Sequence, residues 1–106
     1  MRLGFKMKLH KGNEEEYQKR HSPIWKELKE VLIEHGVINY SIFLDEETND
    51  LFGYAEIEDL KKWAEVASTD ICQKWWVYMA PLMEVNEDKS PVSKDLKEVF
   101  HIEKKN

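Results

Sequence analysis

A chain of 106 residues has the size of one compact domain and leaves no room for a second core, so residues 1–106 are expected to form a single domain. Its 42% hydrophobic and 11% aromatic residues supply enough apolar surface for a core, which excludes intrinsic disorder. The formal net charge is -5, with 16 Lys and Arg interspersed among 21 Asp and Glu; no basic stripe emerges, which argues against a nucleic-acid partner.

Residues 2–9 alternate, with Leu3, Phe5, Met7 and Leu9 on one side and Gly4, Lys6 and Lys8 on the other. A period of two predicts a strand. Asn13 offers a helix N-cap, and Glu14, Glu15 and Glu16 place negative charge in the first turn, where the helix dipole favours it. Tyr17, Ile24, Trp25, Leu28, Val31 and Leu32 then form a helical stripe, stopped by Gly36 with His35 in the last turn. Pro23 interrupts that stripe. It has no N–H for the carbonyl of Lys19, and its ring clashes there. Ser22 followed by Pro23 also reads as a restart, cap then first position. Either way His21 falls at a kink or a break.

Residues 37–44 form a second strand, with Ile38, Tyr40, Ile42 and Leu44 on one face and Val37, Asn39, Ser41 and Phe43 on the other. Both faces are substantially apolar, which predicts cover on both sides. A polar turn at 45–50 joins it in a hairpin to a third strand at 51–58. A second helical region runs from about Asp59 through Trp63, Ala64 and Ala67. It restarts at the natural cap Ser68-Thr69-Asp70 and continues through Ile71, Trp75, Tyr78 and Met79 to about Met83. Residues 84–93 are a polar loop containing Pro91, and 96–102 have strand character. The order β-α-β-β-α-β predicts an α+β, ferredoxin-like fold. Helices on one face of the sheet leave the other face uncovered and partly apolar. A second copy would cover it, so a homodimer is expected.

The longest apolar run, from Trp75 to Met83, contains Pro81 and is too short to cross a bilayer, so no membrane partner is expected. The beginning of the chain lacks the apolar stretch and cleavage site of a signal peptide. The single cysteine, Cys72, excludes an intramolecular disulfide and suits a reducing compartment, which predicts a cytoplasmic location.

Three features could carry chemistry. Tyr17 lies four residues before His21, so both project from one helix face. An imidazole titrates near neutrality and suits proton transfer, and a phenol one turn away can orient it or a bound hydroxyl. The plain alternative is a surface histidine, or one hydrogen-bonded to carbonyls freed at Pro23. Trp75 and Trp76 diverge by roughly 100° on a helix, so one faces the core while the other can wall a pocket, unless both simply pack. Tyr40, in mid-strand, needs a hydroxyl partner from protein or ligand. Trp25 and Trp63 are assigned to packing. His10, His21, His35 and His101 lack paired metal-ligand spacing, and four glycines make no phosphate loop. No metal and no cofactor are expected; side chains alone would do the work.

These residues sit in stretches that resemble one family. Glu-Tyr-Gln-Lys-Arg-His-Ser-Pro-Ile-Trp at 16–25 is similar to the first-helix signature of L-rhamnose mutarotases. Val-Ala-Ser-Thr-Asp-Ile-Cys-Gln-Lys-Trp-Trp at 66–76, followed by Tyr78 and Met79, is similar to their second. Asn-Glu-Asp-Lys-Ser-Pro-Val-Ser at 86–93 and Leu-Lys-Glu-Val-Phe at 96–100 match as well. The likeness covers the whole chain apart from the Lys-rich tail at 103–106, expected to be frayed. The resemblance implies a dimeric α/β barrel, a cytoplasmic place in rhamnose catabolism, and interconversion of the two ring anomers of L-rhamnose. It makes His21 the proton donor and puts Tyr17, Tyr40, Trp75 and Trp76 at the sugar. The alternatives are a cofactor-free monooxygenase on the same dimeric barrel and a noncatalytic sugar-binding module.

Overall fold

The structure, a computed structural model, describes residues 1–104. Strands β1 (Arg2–Lys8), β2 (Val37–Leu44), β3 (Asp50–Ile57) and the short β4 (Lys94–Leu96) form one sheet in the order β2-β3-β1-β4, every neighbouring pair antiparallel. Helices α1 (Glu14–Arg20) and α2 (Lys26–Glu34) connect β1 to β2, while α3 (Leu60–Glu65) and α4 (Asp70–Met79) follow β3. This is the ferredoxin-like α+β order read from the sequence. Among the described residues no helix is long and apolar enough to cross a membrane.

Register decides which face is buried. Met7 pairs with Leu51 and Phe5 with Gly53, while Leu44, Ile42 and Tyr40 of β2 stand opposite Leu51, Gly53 and Ala55. The alternating apolar sets of three strands therefore share the face turned to the helices. There Met7, Leu9, Leu51, Tyr17, Met79, Leu82 and Met83 make one core cluster, and Leu28, Val66 and Cys72 make a second between the helices. Gly53 is required by packing. A Cβ built on it would stand 2.3 Å from Phe5 Cε2, because the Phe5 ring lies flat across that backbone.

The helical restarts follow local capping. The Asp59 carboxylate accepts from the amides of Lys61 and Lys62 to start α3, and Thr69 Oγ1 accepts from the Cys72 amide to start α4. Asn13 occupies the N-cap of α1 without capping it; its side-chain amide donates to the Leu82 carbonyl instead. The break at Pro23 is real, but its restart differs from the expected one. Trp25, not Ser22, is the N-cap of α2, because the chain first makes a turn through residues 21–23.

The last strand is the main correction. Hydrogen-bonded pairing ends at Leu96, and residues 97–104 have no regular structure. Gly4 opposes Leu96, so the antiparallel register reaches Arg2, the first residue of β1, at Glu98. An Arg2–Glu98 ion pair at 2.9 Å marks that point. Residues beyond it have no β1 residue left to pair with, and Val99, Phe100 and Ile102 are 87%, 77% and 79% exposed. The sheet face away from the helices is likewise uncovered by this chain. Phe43 of β2 is 64% exposed there, so within the single chain β2 is covered on one side only. Of the tail expected to fray, residues 105–106 lie outside the described residues.

Candidate active site

The seam between helices and sheet opens as a cleft of about 1350 Å³, and Tyr17, His21, Tyr40, Trp75 and Trp76 all line it. The first two come from the same turn of α1, with ring centroids 4.5 Å apart, as the four-residue spacing predicts. His21 is the C-cap of α1, where the helix tightens. Its amide donates to the carbonyl of Gln18, at 3.1 Å, and the next amide, of Ser22, donates to that of Lys19. The Tyr17 carbonyl thereby loses its usual amide partner and accepts from His21 Nδ1 at 2.8 Å. A carbonyl only accepts, so Nδ1 carries the hydrogen. The two sequence readings of His21 thus merge: it satisfies a helix-end carbonyl and it lines the cleft.

Burial lowers the His21 pKa from its ordinary value, with the bond to the Tyr17 carbonyl working against the shift. The ring is therefore uncharged at neutral pH. Its other neighbour is Trp75 of α4, whose indole meets the imidazole edge-on at 5.2 Å. Trp25 supports that indole from behind at 5.0 Å, and Tyr78 packs against both. Trp75 touches both core clusters, while Trp76 packs on the Leu28, Val66 and Cys72 cluster. The tandem indoles do face different surroundings, yet both reach the cleft.

Tyr40 rises from β2 between Phe5 and Trp63, at 5.9 and 5.7 Å between centroids. Burial pushes both Tyr17 and Tyr40 well above the ordinary phenol range, and the nearby Tyr17 phenol adds to the effect on Tyr40. Among the described residues neither hydroxyl has a protein hydrogen-bond partner, and neither is sealed from the cleft. Both stay free for a ligand. Trp63, assigned to packing from sequence, also lines the cleft; nothing in the spacing of a lone indole distinguishes the two uses.

Among the described residues, Glu14 is the one charged group lining the cleft that is not solvent-exposed. Of the charged residues lining it, Lys29, Glu46, Lys89 and Asp95 are solvent-exposed. The Glu14 carboxylate is held by the Asn49 side chain at 2.8 Å and the Gly12 amide at 2.7 Å. Among the described residues no three His, Cys, Asp or Glu side chains gather as metal ligands. Aromatic faces with free phenol hydroxyls suit a ligand that is neutral, hydroxyl-rich and apolar on one face. An imidazole with one free nitrogen can move a proton on it.

Fold and cleft together define a ferredoxin-like α+β protein whose cleft gathers an imidazole, two phenols and two adjacent indoles. The chain belongs to the L-rhamnose mutarotase family, whose sequence model matches residues 2–102. An L-rhamnose mutarotase of Lachnoclostridium phytofermentans is 55% identical over 103 residues, 97% of this chain and 99% of that one. The crystal structure of L-rhamnose mutarotase FA22100 from Formosa agariphila superposes with a TM-score of 0.89 at 48% identity, covering 97% of this chain and 99% of that one. A dimeric ferredoxin-like protein from an uncultured marine organism has a TM-score of 0.68 at 14% identity, covering 99% of this chain and 98% of that one; this is likeness of fold alone.

Proposed function

We propose that this chain is an isomerase interconverting the α and β anomers of L-rhamnopyranose, with His21 moving the proton and Tyr17, Tyr40, Trp75 and Trp76 holding the sugar. The observation that carries this reading is the imidazole set against paired indoles in a cleft belonging to a chain of that family. Anomer exchange opens the ring to the aldehyde, turns the carbonyl carbon and closes the ring on the other face. It needs proton transfer at the anomeric hydroxyl and the ring oxygen, and groups to position both. Tyr17 and Tyr40, kept neutral, donate hydrogen bonds to sugar hydroxyls, and the indoles take the apolar face and the methyl group of a 6-deoxy sugar. An apolar pocket discriminates one methyl by only about 1–3 kcal/mol, so related sugars also exchange, more slowly.

NMR saturation transfer between the two anomeric protons of L-rhamnose measures the reaction directly. His21→Ala is expected to slow exchange by about 10²–10⁴-fold, the usual share of a positioned acid or base. An unchanged rate removes His21 from the chemistry. The monooxygenase alternative requires oxygen consumption, and the binding-module alternative requires affinity without faster exchange. Neither is favoured by the family match over residues 2–102.

A second copy covering the exposed sheet face completes the reading as a homodimer, supported by the uncovered Phe43 and by the dimeric neighbour of the same fold. The family match over nearly the whole length supports a single domain. A lone buried cysteine supports a reducing, cytoplasmic setting.

A further inference from the structure

The hydrogen bond from His21 Nδ1 to the Tyr17 carbonyl, 2.8 Å long, has a chemical consequence that the position of the ring alone does not. A neutral imidazole carries one hydrogen. With Nδ1 holding it, Nε2 keeps a bare lone pair. Among the described residues no protein group bonds to Nε2, and the ring lines the cleft. We propose that His21 enters the reaction as a base: Nε2 takes the proton of the anomeric hydroxyl, and only the imidazolium so formed donates to the ring oxygen. The Tyr17 carbonyl is then a positioning group, fixing the tautomer that makes this order compulsory.

The step balances. The proton leaves the anomeric oxygen for Nε2, that oxygen forms the aldehyde double bond, and the bond from the anomeric carbon to the ring oxygen breaks. Its electron pair goes to the ring oxygen, which takes the proton back from Nε2. After the carbonyl turns, the same transfers run in reverse and the neutral imidazole is restored. No electron is lost or gained overall. The developing positive charge on the ring is spread by the Tyr17 carbonyl at Nδ1, the role that a backbone or carboxylate oxygen plays behind other catalytic imidazoles.

No competing group in the cleft does this better. Besides His21, the titratable groups lining it are Glu14 and Tyr17 on α1, Lys29 on α2, Tyr40 on β2, Cys72 on α4, and the solvent-exposed Asp95 on β4 and Glu46 and Lys89 in loops. Burial keeps Tyr17, Tyr40 and Cys72 protonated, the last pushed up to about 11, and Lys29 is exposed. The Glu14 carboxylate is engaged by Asn49 and Gly12, and Arg20 beside His21 is paired with Glu16 at 2.7 Å. The surroundings favour a neutral His21 ring by burial, so the free base is the resting form.

This inference rests on the mutarotase reading, and the test separates the two. Enzymatic anomer exchange of L-rhamnose, corrected for the uncatalysed rate, is measured as kcat/KM against pH. The expected profile is flat from neutral pH upward and falls about tenfold per unit in acid, below the ordinary histidine value of 6.5. His21→Gln removes that limb together with most of the rate. Nitrogen NMR of the free protein at neutral pH places the ring hydrogen on Nδ1. A profile highest in acid and falling through the His21 titration overturns the base-first order, as does a hydrogen found on Nε2 or an acid limb that survives in His21→Gln. Absence of any exchange in the wild-type protein overturns the mutarotase reading itself, and this inference with it.

Discussion

Tyr17 and Tyr40 are two phenols raised by burial, so their ionisation is coupled to unfolding. In the unfolded chain a tyrosine ionises near 10, whereas in the folded cleft it does so at higher pH. Between those values the unfolded state loses protons that the folded state keeps, so stability is intact below about pH 10 and falls above it. Denaturant titrations at rising alkaline pH are expected to show a drop that shrinks in Tyr40→Phe. His21 shifts in the opposite direction, and its contribution is lost as pH falls below 6.5, where the unfolded ring gains a proton before the folded one. Trp75→Ala removes the wall that meets the imidazole edge-on and is expected to weaken sugar binding at least tenfold by calorimetry. At this scale the sequence was informative about identities and poor about neighbours. The spacing of Tyr17 and His21 puts them on one face, but which nitrogen of His21 is free depends on the tightened end of α1. Trp63 shows the same limit: its partners, Phe5 and Tyr40, come from two strands remote in sequence.

Elements bring the two halves of the site together. Arg20 reaches from α1 across to α4, its guanidinium 4.1 Å from the Tyr78 ring centroid while its nitrogens bond the Tyr78 carbonyl and Glu16. Arg20→Ala is expected to cost about 1 kcal/mol in thermal or chemical denaturation. It should also slow anomer exchange, because His21 and Trp75 are carried by the two helices it ties. Gly53→Ala is the corresponding test of the sheet. The added methyl collides with the Phe5 ring, costing about 1–3 kcal/mol and pushing Phe5 toward Tyr40. Three strands, the break at Pro23 and the restart at Thr69 were legible, since period and capping are local signals. The fourth strand was legible in its place in the order but not in its extent. Residues 96–102 do alternate, but pairing needs a neighbour, and the register carries them past the first residue of β1.

On the scale of the whole molecule, the uncovered sheet face is where the proposed dimer would form. Phe43, 64% exposed in the single chain, would sit inside a dimer built on that face. Phe43→Glu is expected to convert dimers to monomers in size-exclusion chromatography and sedimentation, while an unchanged mass places the contact elsewhere. No single-chain property reports that partner, so the sequence could supply only the apolar surplus on β2. The edge contact between His21 and Trp75 has an optical consequence for the intact protein. A protonated imidazole draws charge from an excited indole and darkens it, whereas the neutral ring does not. The emission of this chain should therefore dim on acidification with the His21 titration, stay bright in His21→Ala, and respond when a sugar settles between the two rings.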